Sequence, residues 1–179
     1  EPFASLWRHR GLVWQMARRE VVGRYRGSLM GIAWSFFNPV LMLAVYTFVF
    51  SVVVNARWGI GSQDSRAGFA IALFVGMIVH GLFAEVANRA PGMILGNASY
   101  VKRVVFPLEV LPWVTMGSAL FHAGISLFVL LLAQAALMHQ LPWTVVLFPL
   151  VVAPLIVSTM GIAWFLAAIG VYLRDVGQT

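Results

Sequence analysis

Residues 113–137 read WVTMGSALFHAGISLFVLLLAQAAL, a run without a single Asp, Glu, Lys or Arg. At about 1.5 Å per residue this run makes a helical rod of roughly 37 Å, longer than the roughly 30 Å hydrocarbon core of a bilayer. A helix on the surface of a soluble protein keeps a charged or polar face toward water, and this one carries no charge. Three further stretches have the same character. Residues 31–54 carry no charge, with Asn38-Pro39 near their start. Residues 69–87 lie between Arg66 and Asn88-Arg89, and residues 144–171 contain Pro149 and Pro154, which should kink the outer half of that helix. The expected fold is all-α and integral to the membrane, with four transmembrane helices at 31–54, 69–87, 113–137 and 144–171. Composition agrees: 61% of the chain is apolar and only 10% charged, against about a quarter charged in a typical soluble domain.

The connections alternate in charge. Segment 1–30 carries six arginines, loop 88–112 carries Arg89, Lys102 and Arg103, and the tail carries Arg174, so ten of the 12 basic residues fall on one side. Arg57 and Arg66 are the two on the other. Basic residues concentrate in cytoplasmic loops. The amino terminus, the 88–112 loop and the tail are therefore expected in the cytoplasm. This asymmetry accounts for the net charge of +6 without a nucleic-acid partner. Trp58, Trp113 and Trp143 lie near span ends, where amphipathic rings collect. Residues 1–179 read as a single transmembrane domain, with no soluble module, internal repeat or low-complexity tract. The start at Glu1 and the stop after Arg174-Asp175 read as a piece of a longer protein. Residues 1–30 lack the pattern of a signal peptide. With no cysteine, the chain can form neither a disulfide nor a thiolate site.

Residues 3–26 mix apolar and basic positions. At helical spacing Arg8, Arg19 and Arg26 fall on one side and Leu6, Val13 and Ala17 on the other, while Arg10 and Arg24 break the pattern and Gly11 and Gly23 weaken it. The segment reads as an amphipathic helix on the inner membrane surface, or else as a basic tail that sets topology. In the second loop Asn97 can cap a helix over residues 98–105, stopped by Pro107. With an apolar body and the Lys102-Arg103 pair, that helix is either a plug for a groove on a soluble partner or an interfacial loop.

The chain contains no G-x-x-x-x-G-K-[ST], H-E-x-x-H or G-x-S-x-G, so the P-loop, zincin and nucleophile-elbow chemistries have no motif here. His9, His80, His122 and His139 show no metal-ligand spacing, and no catalytic or metal-binding residue is expected. His122 lies inside the third span, where an ionisable group is a functional candidate; a neutral histidine packed on a neighbouring helix is the simpler reading. Glu85 and Arg89, four residues apart, read as a local ion pair.

Two runs carry a family resemblance. The first is Arg24-Tyr25-Arg26-Gly27-Ser28, followed by Gly31-Ile32-Ala33-Trp34-Ser35 and Asn38-Pro39. The second runs from Asn97 through Tyr100-Val101-Lys102-Arg103-Val104-Val105-Phe106-Pro107-Leu108-Glu109 to Pro112. Together, flanking two spans, they resemble the permeases of polysaccharide-exporting ABC transporters, the O-antigen branch above all; capsule and teichoic-acid permeases are similar. The resemblance covers the whole chain in order. It implies six spans in the full protein, an amino-terminal interface helix, and a short cytoplasmic coupling helix between spans two and three. It further implies a homodimer in the bacterial cytoplasmic (inner) membrane. Two ATPase subunits on separate chains would bind ATP and Mg, leaving this chain without a cofactor of its own. The implied ATPase contact is Tyr100, Val101, Lys102, Arg103, Phe106, Pro107 and Glu109, with Arg24, Tyr25 and Arg26 at the membrane surface nearby. The implied substrate is a lipid-linked polysaccharide.

A sliding glycan suits aromatic faces, which need no single hydrogen-bond register. Trp34, Phe37, Tyr46, Phe50, Phe74 and Phe83 are the candidates for such a path, set against the ordinary use of aromatics in packing. The rival readings are an ABC permease for a small drug or lipid, a membrane-embedded transferase, and a passive channel. A transferase needs acids or histidines gathered at one face; Asp64, Glu85, Glu109 and Asp175 are scattered over both.

Overall fold

The computed structural model describes residues 7–49, 66–97, 107–138 and 143–173. Among the described residues there are helices and turns and no strand. The helices are α1 (Arg10–Arg24), α2 (Trp34–Phe48), α3 (Arg66–Arg89), α4 (Met93–Gly96), α5 (Val110–Met138) and α6 (Phe148–Tyr172). Short 3₁₀ turns, Gly31–Ala33 and Trp143–Leu147, lead into α2 and α6. Four stretches are long and apolar enough to cross a membrane: Gly31–Phe48, Ile71–Arg89, Val110–Ala136 and Val145–Tyr172. The outer end of the first expected span, beyond residue 49, lies outside the described residues.

Prolines explain where the helices depart from expectation. The third span begins at Val110, three residues before the expected start, with Pro112 inside its first turn. The first N–H groups of a helix have no acceptor within it, so a proline there sacrifices no bond. The first turn is closed instead by the N–H groups of Val110 and Leu111, which donate to the Pro107 and Leu108 carbonyls at 3.0 and 3.1 Å. Pro149 occupies the same kind of position in α6. Pro154 lies deeper, yet α6 is a single helix from Phe148 to Tyr172. The Ser158 hydroxyl donates to the Pro154 carbonyl at 2.9 Å.

The chain divides into two compact units. One comprises Glu1–Arg26, Leu82–Phe121 and Pro149–Thr179. Here Ala17 of α1 packs with Val110 and Val114 of α5, flanked by Val13 and Met16. The apolar side of α1 is thus real, but protein covers it; Trp7 and Trp14 are left exposed. Two glycines bring backbones together in this unit. A Cβ on Gly117 would come within 3.2 Å of the Ala17 methyl. One on Gly170, at the end of α6, would come within 2.6 Å of the Pro91 Cα and closer still to its carbonyl oxygen. Trp113 and Trp164 meet edge to face, with ring centres 5.9 Å apart. The Trp164 indole N–H donates to the Glu109 carbonyl at 3.4 Å.

The other unit comprises Gly27–Gly81 and His122–Phe148. Its described core is Ile71, Phe74 and Ile78 of α3 with Leu130 of α5, against which Leu43 and Tyr46 of α2 and Ala123 and Leu127 of α5 pack. Ser35 is the only buried residue of α2. Phe36, Phe37, Leu41, Val45 and Phe48 face outward, a surface that water would not tolerate and lipid or another protein would. Gly27 and Gly31 hold φ values of +84° and +53°, where any other L residue is strained.

Candidate functional site

The polar groups of the first unit gather where α1, the end of α3, α4 and the start of α5 meet. α1 carries Glu20 and, one turn later, Arg24; α3 carries Glu85 and, one turn later, Arg89. Arg24 pairs with Glu85, and Arg89 pairs with Glu20. The expected Arg89–Glu85 pair within α3 exists only as the longer arm, at 3.8 Å. The local pair is thus present, and Arg89 also reaches across to Glu20, which is its closer partner. The side chains keep 18–39% of their surface exposed, so the lattice sits at the rim of the packed region.

Beyond Arg89 the chain turns through Pro91 and Gly92 into α4. Asn97 follows α4. Its N–H donates to the Ile94 carbonyl at 3.2 Å and its side-chain amide to the Met93 carbonyl at 2.9 Å. Asn97 thus closes a helix end through its side-chain N–H; the capping expected of its side-chain oxygen falls on residues outside the described ones. The helix expected over 98–105 lies outside the described residues, and with it Tyr100, Val101, Lys102, Arg103 and Phe106. Pro107 and Glu109 are described. The Pro107 carbonyl accepts the N–H that opens α5, and Glu109 is exposed. Next to Asn97 lies a cavity of about 250 Å³, walled by Met16, Arg19 and Glu20 of α1, Met93 and Asn97, and Leu111, Val114 and Thr115 of α5.

Of the surface trio, Arg24 is held by Glu85. The Tyr25 and Arg26 N–H groups close the end of α1 onto the Val22 and Gly23 carbonyls at 3.3 Å. The aromatic candidates separate. Trp34 and Phe37 are 42% and 43% exposed on α2, whereas Phe74 is 4% exposed inside the apolar cluster. Tyr46 flanks that cluster, Phe83 is half-buried, and Phe50 lies outside the described residues. Trp143 is exposed at the start of its 3₁₀ turn. Among the described residues no three His, Asp or Glu side chains gather as a metal site.

The lattice has a signal in the sequence. Residues 20–24 read Glu-Val-Val-Gly-Arg and residues 85–89 read Glu-Val-Ala-Asn-Arg. The same acid–base spacing on two helices is self-complementary when they meet antiparallel.

Several curated proteins resemble this chain. The O-antigen export system permease protein RfbA of Myxococcus xanthus is 32% identical over 171 residues, covering 96% of this chain and 63% of that protein. Two Klebsiella pneumoniae proteins of the same name are 25% and 24% identical over 162 residues, covering 89% of this chain and 59% of theirs. The chain thus spans about three-fifths of the length of these relatives. The family model described as ABC-2 type transporter matches residues 11–179, taking in every described helix from the first turn of α1 to the end of α6. This multi-pass membrane chain belongs to the ABC-2 type transporter family.

Proposed function

We propose that this chain is the membrane-spanning permease subunit of an ATP-driven exporter that moves a lipid-linked, O-antigen-like polysaccharide across the bacterial cytoplasmic membrane. The observation that carries this reading is the similarity, over nearly the whole chain, to proteins named O-antigen export permeases, within a transporter family. ATP and Mg bind to a separate ATPase, and two permease copies form the passage. The exposed aliphatic and aromatic face of α2 suits a second copy, or spans of the same protein that follow residue 179. The amino terminus and the 88–112 loop face the cytoplasm, in keeping with the ten-to-two division of basic residues.

A polar glycan meets no hydrogen-bond partner in hydrocarbon, so the protein must supply a lined path. Trp34 and Phe37 offer open ring faces for it; Phe74 serves helix packing. Closure of the ATPase would reach the permease through residues 97–109, where Lys102 and Arg103 meet the partner and Pro107 returns the chain to α5. The charged lattice beside this loop also weighs against a transferase, because Glu20 and Glu85 are both engaged by arginine.

The test is purification of the full-length protein from its native cells in mild detergent, with copurifying ATPase assayed beside a Lys102→Glu/Arg103→Glu variant. ATPase activity that accompanies the wild type and is lost with the variant supports a permease docked through that loop. Absence of ATPase from both overturns the reading. Activity stimulated by a small drug or lipid, with no response to glycan, moves it to the rival exporter.

A further inference from the structure

We infer that the two Glu-Val-x-x-Arg segments, residues 20–24 and 85–89, form a register lock that sets the position of α1 along α3. Arg24 pairs with Glu85 and Glu20 with Arg89, so the two helices run antiparallel where they meet. Within each segment the valine after the glutamate is buried, Val21 at 6% and Val86 at 0% exposure, which turns both charged edges the same way. The lock does not depend on the transport reading.

The arrangement discriminates. In the observed register both cross-helix contacts join opposite charges. Sliding α1 by one turn, about 5.4 Å, puts Glu20 opposite Glu85, or Arg24 opposite Arg89, and repels. Such pairs, part exposed, add little stability. Their value lies in the difference between registers, where attraction and repulsion add. A one-turn slip would carry Met16, Arg19 and Glu20 past Met93 and Asn97 and so remake the cavity between them. The four charges are positioning residues for that cavity.

Charge rearrangement separates this role from plain adhesion. Arg24→Glu/Glu85→Arg makes the α1 edge wholly acidic and the α3 edge wholly basic, so attraction survives in both registers and selectivity is lost. Adding Glu20→Arg/Arg89→Glu reverses the whole lattice and restores selectivity. These 179 residues hold no cysteine, and any cysteine elsewhere in the full-length permease is first replaced by serine so that introduced pairs report cleanly. Two pairs, Met16→Cys with Met93→Cys and Met16→Cys with Asn97→Cys, are treated with a short bis-thiol crosslinker in membranes holding the full-length permease. The ratio of the two crosslinks reads the position of α1. We expect the ratio to change by about threefold in the uniform-edge variant, the factor that such part-exposed pairs allow, and to return with the four-fold reversal. An unchanged ratio in the first variant, or no recovery in the second, overturns the lock. Equal expression and membrane insertion of all variants are measured alongside; a reversed lattice that fails to insert also counts against it.

Discussion

The two units of this chain are finished to different degrees. In the first, α1 covers the opening turns of α5, the turn after α3 meets the end of α6 backbone to backbone, and the charges are paired across helices. In the second, a small cluster around Phe74 is the described core, and α2 turns nearly all of its apolar surface outward. On the proposed placement of α1 at the inner membrane surface, polar groups and water are close, and apolar burial is driven as it is in soluble proteins. Along the spans the surroundings are lipid tails as apolar as leucine, so helices are held by fit alone. Both α2 in the second unit and α6 in the first leave large apolar faces open, because lipid does not penalise them.

The largest effect expected tests fit in the second unit. Phe74→Ala leaves a void among Ile71, Ile78 and Leu130. In lipid the transfer term drops out, and the cavity term, for a side-chain volume of roughly 100 Å³, leaves a loss of about 2–3 kcal/mol. Unfolding of the purified protein in graded denaturing detergent would measure it; a loss as small as that of a surface change would mean the cluster is loosely packed. A smaller effect is expected in the first unit. Ala17→Leu forces three carbons toward Gly117, where even a Cβ added to the glycine would come within 3.2 Å of the Ala17 methyl, and overpacking should cost about 1–2 kcal/mol. The same assay reads it, and an unchanged midpoint would show that α1 is free to lift. The smallest effect is expected at Trp34→Ala on the open face of α2, where unfolding should move by less than about 0.5 kcal/mol. Export of surface glycan should still fall if this ring serves the passage; a variant destabilised as much as Phe74→Ala would mean that α2 is packed within its own chain.

The spans were legible because twenty uncharged residues in a row have few other uses, and the side of α1 that is buried was legible from its period. Other features were not. The start of α5 was placed three residues late because a proline reads as a stop, while the first turn of a helix accepts one freely. The Glu85–Arg89 pair is legible from local spacing, whereas the approach of α1, which adds Arg24 and Glu20, is not. Spacing likewise does not show that the Asn97 side-chain N–H closes the preceding α4. The candidate aromatics show the deeper limit. Phe74 and Phe37 are alike in sequence, and only the packing of α3 and α5 around the first separates them.

The contact of Gly170 with the Pro91 backbone has a genetic consequence. Every amino acid one nucleotide away from a glycine codon carries a Cβ, and each would meet the carbonyl of Pro91. The codon at 170 therefore has no harmless missense neighbour, and a single hydrogen in place of a side chain makes this one of the least mutable addresses in the gene.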